Sequence, residues 1–237
     1  MLKKITILAI AILSVGSGYA QKSDANKHVK PSQEAIQKPK LVVGLVIDQM
    51  RWDYLYRYQS KYTDGGFKRL LNTGFSLNNV MIPYIPTVTA LGHTSVYTGS
   101  VPSIHGIAGN DWTDKSTGKN VYCTTDTSVQ AVGTSNAKIG QHSPRNLWST
   151  TITDQLGMAT NFRSKVVGVS LKDRASILPA GHNPTGAFWF DDSSGDFITS
   201  SYYMNDLPTW VKDFNAKNLP KSLVANGWDT LLPIGQY

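Results

Sequence analysis

Apolar positions along this chain fall into helical and strand-like periods, interrupted by continuous apolar runs. Residues 41–47 (LVVGLVI) form one such run, the pattern of a strand buried on both faces of a parallel sheet. Residues 165–171 (KVVGVSL) form a second. The 3.6-residue period predicts short helices over 52–58 and 66–72, the latter with Phe67, Leu70 and Leu71 on one stripe and Gly74 as its cap. An extended segment follows over 75–81. A longer amphipathic helix is predicted over 147–157, with Leu147, Ile152 and Leu156 inward and Gly157 at its end. Residues 187–190 and 197–201 flank an Asp-Asp-Ser-Ser-Gly turn and read as an antiparallel hairpin. Pro208 starts a helix over 208–218 with Trp210, Val211 and Phe214 on one face. Residues 110–144 are rich in Gly, Ser, Thr and Asn and read as surface hairpins and loops. The pattern is α/β, without internal repeats, and about 200 residues suffice for one sizeable domain.

One stretch fits none of these periods. Residues 82–110, IPYIPTVTALGHTSVYTGSVPSIHGIAGN, contain no charged side chain. They are too polar for plain core and too poor in charge for a solvated face. Pro86 turns the chain into a helix that begins near Thr89. A hydroxyl there lies where free backbone N–H groups and the helix dipole favour an anion. Thr89 is therefore either a nucleophile or anion site, or an ordinary helix cap ahead of a glycine-containing core helix.

The amino terminus changes the picture of compartment and charge. Lys3 and Lys4, the apolar run 5–15 and Gly18-Tyr19-Ala20 have the layout of a secretory signal over residues 1–20, too short for a membrane helix of ~20 apolar residues. Residues 21–40 read as a polar, lysine-rich tether. Most of the formal charge of +7 belongs to these two segments; from residue 41 onward 16 basic residues face 14 acidic ones. Nothing in that balance points to nucleic acid as a partner, and no later run is long enough to span a membrane. The expected location is periplasmic or secreted. Cys123 is the only cysteine, which excludes an internal disulfide and a cysteine-rich zinc site.

Candidate chemistry collects at strand ends and at the start of the helix. Asp48 follows the first apolar run, and Lys172 and Arg174 follow the second, at the carboxyl ends where open α/β sheets bind ligands. Asp48 can hold a metal or cap the next helix. Lys172 and Arg174, two apart on an extended or turning backbone, can clamp an oxyanion or form a solvated turn. Asn110 can donate its amide to the same oxyanion or shape a loop. The chain contains no G-x-S-x-G elbow, H-E-x-x-H, P-loop or strand-borne G-x-G-x-x-G, so the common hydrolase, zincin and nucleotide-fold readings fall away.

Three segments taken together, VIDQMRWDYL, the stretch 82–110 and VSLKDRASILPAGHNPTGAFWFD, resemble the alkaline phosphatase superfamily. Within it they are similar to the secreted phosphate-irrepressible alkaline phosphatases with a threonine nucleophile, close to the type I phosphodiesterase/nucleotide pyrophosphatase branch. The resemblance implies an alkaline-phosphatase-like, mostly parallel sheet flanked by helices, incomplete in this chain, with residues 41–237 as the amino-terminal part of a catalytic domain. It implies that Asp48 ligates a zinc ion, that Thr89 contacts that ion and is phosphorylated, and that Asn110, Lys172 and Arg174 bind the phosphoryl oxygens. The family site holds two zinc ions, and the other ligands lie in later motifs that this sequence does not contain. None of His28, His93, His105, His142 and His182 is expected to bind zinc, and His182 resembles a structural residue. The Lys-x-Arg pair favours phosphate monoesters, which carry one more charged oxygen than diesters. A phosphodiesterase/nucleotide pyrophosphatase and a non-catalytic exported anion-binding domain are the alternatives.

Overall fold

The computed structural model describes residues 38–236. The expected signal and most of the tether lie outside the described residues. The chain divides between Leu45 and Val46. In the first part, residues 38–45 form neither helix nor strand. In the second, short helices α1 (Tyr54–Arg57) and α2 (Gly66–Thr73) precede α3 (Thr89–Thr98) and α4 (Pro102–His105). Strands β1 (Asp111–Thr113) and β2 (Asn120–Tyr122) form an antiparallel hairpin with Asp111 opposite Tyr122. Strand β3 (Ala131–Val132), α5 (Ala137–Gly140), α6 (Ile152–Ala159), β4 (Val167–Ser170), α7 (Asp173–Ala180), β5 (Gly186–Asp191), β6 (Asp196–Ser200), α8 (Thr209–Asn215) and α9 (Leu219–Val224) complete the order.

The main sheet runs β3-β6-β5-β4. Strands β4 and β5 are parallel, joined by α7, as a parallel pair requires a crossover. The β5–β6 hairpin and the β3–β6 pair are antiparallel. The sheet is therefore mixed, flanked by helices. Strand β5 is the one buried along almost its whole length. Helix α7 lies between two apolar clusters. Its Ile177 and Ala180 join Ala187, Trp189 and Ile198 of the sheet, while its Leu178 joins Ala90, Ile107, Cys123 and Leu147. That double burial fastens α3 and α7 to the same core.

Several sequence expectations hold, among them the two short early helices, the Gly74 cap, the hairpin around 191–195 and the helix after Pro208. Others need correction. Residues 41–47 carry no strand pairing among the described residues, and Leu41, Val43 and Leu45 are exposed. Strand β4 is not buried on both faces either, since Val167 and Val169 are about half exposed. It pairs with β5 alone and packs α7 on one side only. An apolar run reports what a strand can bury, and burial needs neighbours on both sides.

The helix expected from Leu147 begins instead at Ile152, because Thr151 and Asp154 form a capping box: the Asp154 N–H donates to Thr151 Oγ1 (3.1 Å) and the Thr151 N–H to Asp154 Oδ2 (2.9 Å). Asp154 and Gly157 face inward, while Ile152 and Leu156 are exposed. Asp154 also accepts the His182 and Asn183 N–H groups (2.8 and 3.2 Å). The His182 ring spans Asp154 Oδ2 (3.2 Å) and the Leu147 carbonyl (2.9 Å). With both ring nitrogens against acceptors, the imidazolium fits this position, so His182 is structural, as expected.

This knot gives stability a pH dependence. The hydrogen bond to Asp154 raises the His182 pKa, partly opposed by burial. Burial works to raise Asp154, but the donors from His182 and Thr151 outweigh it and hold the carboxyl far below the usual range. A raised histidine stabilises below its unfolded pKa and loses that contribution as pH rises through the folded value. A depressed aspartate stabilises above its unfolded pKa and loses it as pH falls. Thermal melts against pH should show both limbs, and His182→Gln should remove the one on the alkaline side. An unchanged alkaline limb in that variant would rule out His182 as its source.

Gly168 sets how closely α7 approaches β4, since a Cβ there would run into the Ser176 carbonyl oxygen. Gly168→Ala is expected to destabilise the protein by about 1–3 kcal/mol through overpacking. Gly92, within α3, has open space around it, and Gly92→Ala should instead stabilise by up to about 1 kcal/mol. Denaturant melts of the two variants check the contrast.

Candidate active site

Residues from three separate parts of the chain meet around the first turn of α3. Val88 is extended and caps the helix, so Thr89 is its first residue, with Gly92 N–H bonded back to the Val88 carbonyl (2.9 Å). Thr89 Oγ1 donates to Asp48 Oδ2 (3.0 Å), and Asp48 is exposed. Asn110 lies just beyond α4, before β1. Its Oδ1 accepts the Ala90 N–H (2.9 Å), one of the backbone donors a helix start leaves free. A backbone N–H can only donate, so this contact fixes the amide with Nδ2 as its remaining donor end. Asp48, Thr89 and Asn110 thus come together.

Lys172 and Arg174 sit differently. Lys172 is the residue before α7 and Arg174 lies in its first turn, so the two do not share an extended backbone. Lys172 Nζ reaches Asp192 Oδ2 in the β5–β6 turn (3.4 Å), an exposed pair. Arg174 Nη1 donates to the Tyr122 hydroxyl on β2 (2.9 Å). Among the described residues no hydrogen bond or ion pair joins either cation to Asp48, Thr89 or Asn110. The link is through the backbone: Cys123, next to Tyr122, donates its N–H to the Asn110 carbonyl (2.9 Å). Both cations line one cleft of about 660 Å³, together with Tyr122, His142, Leu171 and Trp189.

Electrostatics keep Arg174 charged and Tyr122 protonated. Burial opposes the charge on Arg174, but its bond to Tyr122 and the Asp173 carboxylate raise its pKa on balance. Burial and the charge of Asp173 push the Tyr122 hydroxyl well up. Burial likewise pushes the Cys123 thiol up to about 12, so this lone cysteine is an inert core residue.

One arrangement resembles another chemistry, a serine–histidine pair, and does not fit it. Ser95 Oγ lies 2.9 Å from His105 Nε2, but the Ile107 N–H donates to His105 Nδ1 (3.2 Å). That leaves the proton on Nε2, facing the serine, so the ring cannot take the serine's proton. Burial lowers the His105 pKa and keeps it neutral. The fit to zinc is partial. Asp48 and Thr89 present two adjacent oxygens, whereas zinc is normally four-coordinate. Among the described residues no group of three or more His, Cys, Asp or Glu could hold a metal ion.

Sequence reasoning missed Tyr122, Thr124 and Asp173. Tyr122 donates to Asp173 Oδ1 (2.9 Å), and Thr124 donates to Asp173 Oδ2. The alternation in VYCTTDT, which puts Tyr122 and Thr124 on one side, was the available signal, and their partner lies 51 and 49 residues away.

Comparison with known proteins places the chain in a family. A sequence model of the type I phosphodiesterase/nucleotide pyrophosphatase family matches residues 42–234. The chain is 77% identical over 203 residues to the alkaline phosphatase PafA of Elizabethkingia meningoseptica, covering 86% of this chain and 37% of that protein. It is 55% identical over 234 residues to the alkaline phosphatase PhoV of Synechococcus elongatus, covering 99% of this chain and 42% of that one. A crystal structure of a PafA variant, with one threonine, one asparagine, one lysine and one arginine substituted, superposes with a TM-score of 0.84 at 75% identity, over 86% of this chain and 39% of that one. The chain thus spans about two fifths of the length of these relatives. Among the described residues no helix is long and apolar enough to cross a membrane.

Proposed function

The chain belongs to the type I phosphodiesterase/nucleotide pyrophosphatase family, and from that premise we propose that it carries the nucleophile and phosphate-binding half of a zinc-dependent phosphomonoesterase. The observation that carries the proposal is the contact of Thr89 Oγ1 with Asp48 Oδ2 (3.0 Å) at the free N-terminal turn of α3. A further support comes from the PafA variant. Its four substituted residues have the same types, order and spacings as Thr89, Asn110, Lys172 and Arg174.

In this mechanism Thr89 Oγ attacks the phosphorus of the ester, the P–O bond to the alcohol breaks, and the alcohol leaves as the phosphoryl group passes to Thr89. Water then attacks the same phosphorus, releasing inorganic phosphate and restoring the hydroxyl. The Thr89 proton points at Asp48 Oδ2, which fixes the attacking lone pairs toward the substrate. The Asn110 amide, oriented by Ala90, donates to a phosphoryl oxygen, and Arg174 and Lys172 neutralise the others. Asp48 and Thr89 would hold one zinc ion, with ligands from beyond the described residues completing it. Bound zinc supplies the charge that makes the hydroxyl acidic enough to react. Substrates are small phosphate monoesters, met in the periplasm or outside the cell.

A chimera tests this. The 203 residues that align with the Elizabethkingia phosphatase are exchanged into that enzyme, and zinc-loaded protein is assayed on p-nitrophenyl phosphate and bis(p-nitrophenyl) phosphate. Faster hydrolysis of the monoester is expected. Preference for the diester would move the assignment to a phosphodiesterase, and no hydrolysis of either would leave a non-catalytic anion-binding domain.

A further inference from the structure

We propose that Tyr122, held by Asp173, is a positioning residue that sets the Arg174 guanidinium for binding a phosphoryl group. The inference rests on the phosphate-binding reading above and extends it to residues outside the site's direct contacts.

The hydroxyl of Tyr122 is shared between two partners. It has one proton to give and can accept in return. It donates to Asp173 Oδ1 (2.9 Å) and accepts from Arg174 Nη1 (2.9 Å). The first bond directs the second: with its proton committed to the carboxylate, the oxygen turns a lone pair to the guanidinium. Asp173 in turn is fixed from two sides, since Thr124 donates to its other oxygen. Thr124 also lies 3.3 Å from His142 Nδ1. The Tyr122 ring packs on the His142 ring at 5.6 Å between centroids, and His142 on the edge of Trp189 at 5.9 Å. The tyrosine ring is thereby tied to the sheet core through a tilted and an edge-on aromatic contact.

Arg174 needs such an anchor. It has a long, flexible side chain in the first turn of α7, and its Nε–H is covered but has no acceptor among the described residues. Among the described residues its side chain hydrogen-bonds to Tyr122 alone. Thr124 and Asp173 tie the residues after β2 to the start of α7 whether or not the tyrosine hydroxyl is present. The hydroxyl itself is what touches the guanidinium. This separates Tyr122 from Thr124, which contacts Asp173 and His142 but not the guanidinium.

The test uses Tyr122→Phe, which keeps the ring and its packing, with Thr124→Val as the control that loosens Asp173 without touching Arg174. Inorganic phosphate is the probe, measured as a competitive inhibitor of the zinc-loaded chimera. Tyr122→Phe is expected to weaken phosphate about tenfold, the size of one hydrogen bond to a charged group, with a much smaller effect for Thr124→Val. In an Arg174→Ala background the same tyrosine change should cost nothing further. Full phosphate affinity in Tyr122→Phe, or losses that multiply in the double variant, would overturn the proposal. A second readout is independent of phosphate: the Arg174 Nε–H signal in the nitrogen-15 spectrum of the chain should become more mobile in Tyr122→Phe. If phosphate binding is indifferent to Arg174→Ala, the functional reading fails. An unchanged arginine signal sinks the positioning role by itself.

Discussion

Thr89→Ala is expected to reduce hydrolysis of p-nitrophenyl phosphate by the chimera on the order of 10⁴-fold or more, the scale of losing a covalent nucleophile. The expectation is specific to Thr89 because the hydroxyls that follow it in α3 are committed. Thr94 is fully buried and donates to the Ala90 carbonyl (2.7 Å). Thr98 donates to the Thr94 carbonyl (2.8 Å), and Ser95 faces the His105 ring. Thr89 alone among these places its hydroxyl against a carboxylate at the helix start. It is also not the helix cap, a position held by Val88. Its replacement should therefore shift the melting curve by no more than about 0.5 kcal/mol, the range of an uncritical surface change. Thr89→Ser keeps the oxygen and should keep most of the turnover. Acid quenching during turnover, followed by mass analysis, should place a phosphoryl group on the peptide containing Thr89 in the parent protein and none in the alanine variant. Undiminished hydrolysis by Thr89→Ala would refute the assignment.

How far this site was legible in the sequence differs from residue to residue. Pro86 and the following hydroxyls gave away the helix start, because proline geometry is local. Asn110 was legible as a loop residue, while Asp48 was picked out at the end of a strand that does not form among the described residues. Their partners were not legible: the Ala90 N–H that orients Asn110 is 20 residues away, and Thr89 is 41 from Asp48. Lys172 and Arg174 were found as a pair and misjudged in geometry, since α7 begins between them. The apolar runs were read correctly as sheet-forming at β4 and incorrectly as doubly buried. Periodicity shows which side chains favour burial. It does not show which neighbours arrive to cover them.

Removing Arg174 should separate the monoester and diester activities. A monoester presents one more charged oxygen than a diester, and the guanidinium is the planar donor best suited to it. Arg174→Ala is expected to lower kcat/KM for p-nitrophenyl phosphate by about 10²–10³-fold, as when one preorganised transition-state donor is lost. The diester should lose about tenfold or less. The structure adds a reason for the large monoester effect. Asp173 stays behind, held by Tyr122 and Thr124, and once its cationic neighbour is gone its charge repels the incoming dianion. Lys172→Ala should cost less, because Lys172 is exposed and already paired with Asp192 (3.4 Å), and exposed pairs are worth about 0–1 kcal/mol. The order of loss on the monoester is therefore Arg174 above Lys172. Steady-state kinetics of both variants on both esters decide it. Equal losses on monoester and diester after Arg174→Ala would remove the electrostatic basis for a phosphomonoesterase and leave the diesterase as the better reading of the same cleft.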